Sequence, residues 1–291
     1  MLVRCAEPRA NVGAMTFVLL TGATRGIGQA AAIQLARSGA ELAVVGRDHE
    51  RVKRVADEAE AAGGGAQVHQ HVADLSLMAD VRALAADALD RYERIDVLAN
   101  NAGALFNTRR ETAEGLERTF ALNHLAPFLL TNLLRERLVG GRVVTTASDA
   151  HAGGRLDLED LQSKRSYAAM RVYATTKLCN ILFTRELARR APELRANCFH
   201  PGVVRTGFAK EEGGIWRLLT TLGAPFFRSP ARGARSLVWL ALSEEAGALS
   251  GEYVEDENVR SPSAQARDSS LAATLWARSA KLAGLPAEAA A

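Results

Sequence analysis

The sequence has few cysteines, no long apolar run and little excess charge. Its three cysteines, Cys5, Cys179 and Cys198, follow no regular spacing, which excludes a disulfide framework and a zinc-ribbon array. A formal net charge of +3 is too small and too dispersed for a basic face that binds nucleic acid. No apolar run reaches the ~18 residues of a membrane span, and the first residues lack the apolar centre of a secretory signal. We therefore expect a cytoplasmic protein with no nucleic-acid partner and no transmembrane span.

Hydrophobic residues make up 48% of the chain, which excludes wholesale disorder, because disordered chains combine low hydrophobicity with high net charge. The length of 291 residues allows one large α/β domain or two small ones. No repeat, linker or low-complexity tract divides the chain. We therefore predict a single domain over residues 15–284, with a flexible arm at 1–14 and a flexible tail at 285–291.

Short apolar runs alternate with helical segments in the first half of the chain. Apolar runs that predict strands lie at 16–21, 42–45, 68–72, 97–98 and 143–146. Segments that predict helices lie at 29–38, 50–62 and 81–91. Continuous apolar runs are typical of parallel strands covered on both sides. The alternation therefore predicts an α/β fold, a Rossmann-type doubly wound parallel sheet with helices on both faces.

A glycine-rich turn joins the first predicted strand to its helix. The segment 21–28 reads TGATRGIG, so that Gly22, Gly26 and Gly28 have the spacing G-x-x-x-G-x-G. Glycines allow a tight turn and let backbone N–H groups approach a pyrophosphate at the helix N-terminus. Glycine-rich turns also occur without a ligand, but the position between strand and helix favours a dinucleotide phosphate site.

The second predicted strand ends at Val45-Gly46-Arg47-Asp48. An acidic residue near this point holds the ribose 2′-hydroxyl of NAD, whereas arginine suits the 2′-phosphate of NADP. Arg47, together with Arg25 in the glycine turn, favours NADP because a guanidinium matches phosphate oxygens. The neighbouring Asp48 leaves NAD open, and both arginines could instead be surface charges.

Tyr173 and Lys177 lie four residues apart in a predicted helix and therefore share one helical face. A nearby cation stabilises phenolate over phenol, so we expect Lys177 to lower the pKa of Tyr173 from its usual value near ~10. Tyr173 would then serve as a general acid and base. Tyr167 is a weaker candidate, because the residue four positions after it is Arg171.

The ordered set of motifs resembles the short-chain dehydrogenase/reductase family over residues 16–284. Further segments in the family's order are Asp74-Leu75, Asn100-Asn101-Ala102-Gly103, Asn123, Ser148 and His200-Pro201-Gly202. Finer features resemble the retinol-dehydrogenase-like and WW-domain-oxidoreductase-like branch, including Asn123-His124-Leu125 and Leu275-Trp276. The resemblance implies an enzyme that transfers hydride between a nicotinamide cofactor and a substrate carbonyl or alcohol.

The resemblance also implies roles for single residues. Ser148 would donate to the substrate carbonyl, Tyr173 would exchange the proton, and Lys177 would assist Tyr173 and bind the nicotinamide ribose. Asn123 would hold a water in a proton relay to the lysine. The implied cofactor contacts are Gly22, Thr24, Arg25, Gly26, Ile27, Gly28, Arg47, Asp74, Leu75, Asn100, Ala102, Gly103, Tyr173, Lys177, Pro201, Gly202, Val203 and Thr206.

The expected activity is an NADP-preferring interconversion of a carbonyl and an alcohol on a fairly apolar small molecule. Two alternatives stay open: a nicotinamide-binding regulatory or scaffold protein with little catalysis, and an NADPH-dependent reductase of C=C bonds. The family resemblance allows a homo-dimer or homo-tetramer. Cys179 and Cys198 are expected in buried elements as small apolar residues.

An apolar segment and a pair of histidines are further candidates for functional roles. The apolar segment at about 207–229 follows the expected nicotinamide loop, and we predict a substrate lid there, although a membrane-touching or subunit-interface helix is an alternative. His69 and His71 share one face of a strand. No third ligand is evident near them, so we predict no metal site.

Overall fold

A mostly parallel eight-stranded sheet runs through the described part of the protein. The computed structural model describes residues 15–204 and 228–286. The strands are β1 (Phe17–Thr21), β2 (Glu41–Gly46), β3 (Val68–Val72), β4 (Val97–Asn100), β5 (Arg142–Thr146), β6 (Arg195–His200), β7 (Tyr253–Glu255) and β8 (Asn258–Arg260). The helices are α1 (Gly26–Arg37), α2 (His49–Ala62), α3 (Met78–Arg91), α4 (Arg118–Phe120), α5 (Ala126–Leu133), α6 (Ala169–Arg190), α7 (Pro230–Leu242), α8 (Glu244–Gly247) and α9 (Ser269–Leu282).

The strand order is β3-β2-β1-β4-β5-β6-β7-β8. Neighbouring strands from β3 to β7 are parallel, and β8 runs antiparallel to β7. The order reverses between β1 and β4, and ligands of such sheets bind beside the carboxyl ends of the strands at a reversal. The prediction of a Rossmann-type doubly wound sheet is confirmed, and the reversal locates the expected binding edge.

Successive residues of β1 point into two different apolar cores, one on each face of the sheet. Leu19 belongs to a core shared with α3, α5, α6 and α9, whereas Val18 and Leu20 belong to a core shared with α1, α2 and α7. Because both faces are covered, every residue of β1 is buried. This double burial explains why the sequence shows apolar runs in place of an alternating pattern.

The predicted elements agree with the structure to within a few residues. The largest differences are that α1 begins at Gly26, at the glycine turn itself, and that α3 begins at Met78. Cys179 and Cys198 are buried, as predicted. Residues 1–14, Thr206, positions 207–227 of the predicted lid and residues 287–291 lie outside the described residues.

Candidate active site

The glycine turn lies at the carboxyl end of β1, next to the segment that follows β4. A Cβ atom on Gly28 would collide with the carbonyl oxygen of Gly22, and a Cβ atom on Gly22 would come within 2.6 Å of the Ala102 Cα. Gly22 also has a φ of +64°, a backbone angle that residues other than glycine rarely adopt. The two glycines therefore allow β1, α1 and the β4 segment to approach one another closely.

The N-terminus of α1 fits a pyrophosphate. Arg25 stands at its N-cap position without a side-chain hydrogen bond to the first turn, and that turn contains no acidic residue. The first N–H groups of a helix lack partners within the helix and carry partial positive charge. Since no side chain of the helix caps them here, they can bind phosphate oxygens of a dinucleotide.

Thr21 and Asn101 hold the glycine turn and the segment after β4 together. The Thr21 hydroxyl donates to the Ala99 carbonyl at 3.2 Å and accepts from the N–H groups of Asn101 and Ala102 at 3.0 and 3.1 Å. The Asn101 amide donates to the carbonyls of Thr21 and Gly22. Asn101 belongs to a motif quoted for the resemblance, but its role, like that of Thr21, was not predicted.

Asn123 lies fully buried in a π-helical turn, Ala121–Leu125, between α4 and α5. Its Oδ1 accepts from the Ala104 N–H at 2.8 Å, and its Nδ2 donates to the Ala104 carbonyl and to the Thr176 hydroxyl at 2.9 and 3.0 Å. Single π turns often mark functional positions. These bonds attach the segment after β4 to α6, which carries Tyr173 and Lys177.

Ser148 and Tyr173 form a hydrogen-bonded pair. Ser148 follows β5, where its Oγ also accepts from the Ala150 N–H at 3.2 Å, and Tyr173 lies in the second turn of α6. Burial raises the pKa of Tyr173 to about 12, although the hydrogen bond with Ser148 acts in the opposite direction. The expectation of a lowered tyrosine pKa is therefore not met, because removal of the phenolate from water outweighs the neighbouring groups.

Lys177 reaches the same edge of the sheet. Its Nζ donates to the Thr146 carbonyl at 2.8 Å and lies 5.5 Å from the centre of the Tyr173 ring. Burial lowers the pKa of Lys177 to about 8. A Cβ atom on Gly103 would lie 3.5 Å from this Nζ and 3.3 Å from the Asn123 Oδ1. The predicted catalytic residues and the turn after β4 therefore meet at one place.

The arginines predicted to face a 2′-phosphate lie on the surface at this edge. Arg25 and Arg47 are both exposed, and a Cβ atom on Gly46 would meet the methyl group of Thr24, so the end of β2 packs against the glycine turn. Asp48 is the N-cap of α2, where its Oδ1 accepts from the Arg51 N–H at 3.0 Å. Its carboxylate is thus already engaged by its own helix.

The remaining predicted cofactor residues lie along the carboxyl ends of the strands. Leu75, Asn100 and Ala102 line a small cavity. Asp74 Oδ1 accepts from the Ser76 hydroxyl at 2.7 Å. On the other side of the glycine turn, a Cβ atom on Gly233 of α7 would touch both Ile27 and the Pro201 carbonyl. Further along the same loop, Gly202 packs against Arg228, and Val203 is exposed.

The two histidines weighed as metal ligands have other partners. His69 Nε2 lies 2.8 Å from Glu41 Oε1, and His71 contacts Asp87 at 2.9 Å and the Tyr92 hydroxyl at 2.7 Å. Across residues 15–204 and 228–286, no three metal-binding side chains cluster. Within those same ranges no helix combines the length and apolar character needed to cross a membrane.

The chain is similar over most of its length to known proteins. A family model described as short chain dehydrogenase matches residues 16–214. Over 268 residues the chain is 44% identical to a Streptomyces sp. (strain C5) protein provisionally named daunorubicin C-13 ketoreductase DnrU, with 92% of each covered. It is 36% identical to retinol dehydrogenase 13 of Homo sapiens, in an alignment that covers 93% of this chain and 85% of the human protein. A solved structure of an uncharacterised Mycobacterium paratuberculosis protein matches with a TM-score of 0.77 at 32% identity, covering 94% of both chains.

Proposed function

This chain belongs to the short-chain dehydrogenase family, in its retinol-dehydrogenase-like branch, and we propose that it is an NADP-preferring enzyme that interconverts a carbonyl and an alcohol on a fairly apolar small molecule. The observation that carries the proposal is the meeting of Ser148, Tyr173 and Lys177 at the edge formed by the glycine turn. The nicotinamide cofactor, when bound, supplies or accepts the hydride. The protein supplies orientation and a proton.

The proposed roles follow from the contacts. In reduction, the Ser148 hydroxyl donates to the substrate oxygen as negative charge develops there. Tyr173 then delivers its proton to that oxygen. Because burial holds the pKa of Tyr173 at about 12, the phenol carries its proton at neutral pH and is ready to act as a general acid. Lys177, held by Thr146, stabilises the phenolate that remains, and Asn123 keeps the neighbouring backbone in place.

The names of two relatives support a carbonyl and an alcohol as the interconverted groups. One is named for a ketoreductase acting at C-13 of daunorubicin, and the other for dehydrogenation of retinol. A ketone and an alcohol are the two sides of the same hydride transfer. These names support the interconversion of a carbonyl and an alcohol as the reaction class of this chain.

NADP preference rests on the positions of Arg47 and Arg25 and on the contact that Asp48 makes with its own helix. The Asp48 carboxylate accepts a hydrogen bond at the N-terminus of α2, whereas in a site for NAD a carboxylate faces the ribose hydroxyls. Arg47 is exposed at the end of β2, beside the glycine turn that contains Arg25. Two guanidinium groups at this corner favour a ligand with an additional phosphate.

Arg47→Ala is expected to raise the KM for NADPH about 10–100-fold, because a hydrogen bond to a charged group is worth about 1.5–3 kcal/mol. The KM for NADH should hardly change. Arg37→Ala is the matched control, since Arg37 is exposed in the last turn of α1, at the opposite end of that helix. Equal effects of Arg47→Ala on the two cofactors would exclude the proposed phosphate contact.

The reaction itself is tested by following NADPH absorbance with panels of aldehydes, ketones, quinones and retinoids, and with enones as C=C substrates. We expect NADPH consumption with carbonyl compounds and formation of the matching alcohol. Products reduced only at the double bond would assign the enzyme to C=C reduction. Tight NADPH binding without turnover of any panel would favour a regulatory or scaffold protein.

A further inference from the structure

Two histidines from different elements bind the backbone that carries Ser148. His151 lies in the 3₁₀ turn after β5, and its Nδ1 is 2.8 Å from the Ser148 carbonyl oxygen. A carbonyl can only accept, so Nδ1 carries the proton. The Nε2 of the same ring accepts from the Ser263 N–H at 3.1 Å. These two bonds require a neutral imidazole protonated at Nδ1.

His200, at the end of β6, binds the N–H of the same peptide group whose carbonyl His151 binds. Its Nδ1 accepts from the Asp149 N–H at 3.1 Å, so its neutral ring carries the proton at Nε2. Both rings are buried, with exposed fractions of 3% for His151 and 7% for His200. The carbonyl and the N–H of the single Ser148–Asp149 peptide group are thus held by two imidazoles in opposite tautomers.

The surroundings of the His200 ring favour its neutral form. Burial lowers the pKa of His200, although Asp149, Glu255 and Asp256 oppose this effect, and Arg228 acts in the same direction as burial. On the other side of the loop, the His151 ring packs edge to face against Tyr253, with the ring centres 5.1 Å apart. In a neutral ring one nitrogen can accept: Nδ1 of His200 accepts from the Asp149 N–H, and Nε2 of His151 accepts from the Ser263 N–H.

We propose that His151 and His200, here called the histidine clamp, are positioning residues that fix the Ser148 hydroxyl against the substrate oxygen. This inference rests on the proposed function. A hydroxyl that stabilises a developing oxyanion must be held to within about 0.5 Å of its productive position. Ser148 lies in a loop beyond the sheet ladder, and the clamp replaces the missing ladder bonds: His151 joins the loop to the segment before α9, and His200 joins it to β6.

The first test exchanges each histidine for asparagine or glutamine. The asparagine amide can place a donor or acceptor where Nδ1 was, whereas the longer glutamine places it near the position of Nε2. We therefore expect His151→Gln and His200→Gln to lower kcat about tenfold to a hundredfold, as misplacement near 1 Å does in active sites. His151→Asn and His200→Asn should recover most of this loss, and NADPH affinity should stay the same in all four variants.

The second test combines the glutamine variants with Ser148→Ala. If the clamp acts through the Ser148 hydroxyl, His151→Gln and His200→Gln should change kcat little once that hydroxyl is gone. His71→Gln is the control, because His71 is equally buried but contacts Tyr92 and Asp87 at the far edge of the sheet. We expect it to lower thermal stability while its effect on kcat is small and independent of Ser148.

A third measurement needs no turnover. Nitrogen-15 NMR of the full chain should show His151 protonated at Nδ1 and His200 at Nε2, and exchange of the Asp149 amide proton should speed up in His200→Gln but not in His200→Asn. The reverse tautomers, or full additivity with Ser148→Ala, would overturn the histidine clamp. A wild-type chain with no carbonyl turnover would overturn the proposed function instead, and the tautomers and amide exchange would then decide the clamp alone.

Discussion

Replacing Tyr173 with phenylalanine is expected to lower kcat for carbonyl reduction about 10²–10⁴-fold, the usual contribution of a positioned general acid. The substitution removes one oxygen atom and keeps the ring that lies beside Lys177. The dissociation constant for NADPH should therefore hardly change. Stopped-flow single turnovers, together with fluorescence titration of NADPH, separate the chemical step from cofactor binding.

Tyr167→Phe provides a matched control for this prediction. Tyr167 precedes α6, and its hydroxyl donates to the Phe106 carbonyl at 2.7 Å. Loss of that hydroxyl should weaken a loop contact but leave kcat within a small factor of the wild-type value. Equal losses in the two variants would point to a general disturbance of the region, and unchanged turnover in Tyr173→Phe would refute the proposed mechanism.

Much of the fold was predictable because the strands are buried on both sides. The runs that became β1, β2 and β3 are bounded by glycines or polar turns, and helices with clear apolar faces separate them. The short hairpin of β7 and β8 could not be predicted in this way. Each of these strands has three residues, and β8 is wholly exposed. The hairpin therefore depends on the pairing of β7 with β6 and on the turn at Asp256 and Glu257, both with positive φ.

The site was predictable as a set of residues but not as an electrostatic environment. Spacing along α6 correctly placed Tyr173 and Lys177 near each other. It could not show that both groups are removed from water, which reverses the expected direction of the tyrosine pKa. The histidine clamp is equally hidden, since His151 meets Ser263 across 112 positions of sequence. Contacts of this kind depend on the packed tertiary structure and leave no local pattern.

Lys177 is expected to stabilise the phenolate formed in the reaction and, because its charge is buried, to lower the free energy of unfolding. Its pKa falls from 10.5 to about 8 on burial, and each pKa unit corresponds to about 1.4 kcal/mol. Below pH 8 both the native and unfolded states carry the proton, so the native state bears the full penalty of about 3 kcal/mol. Between pH 8 and 10.5 the unfolded state binds more protons, and the penalty fades as pH rises.

Lys177→Met should therefore raise the free energy of unfolding by about 1–3 kcal/mol at neutral pH, because a flexible apolar side chain replaces a buried charge. The Thr146 carbonyl keeps a donor in this variant, the Asn180 amide at 3.3 Å. Urea unfolding should show a higher free energy of unfolding than wild type at neutral pH, and this difference should disappear at strongly alkaline pH. In the same variant kcat should fall sharply, since the phenolate of Tyr173 loses its cation. Lys53→Met, at an exposed position on α2, should change neither quantity much, and a Lys177→Met protein less stable than wild type at neutral pH would contradict the burial penalty.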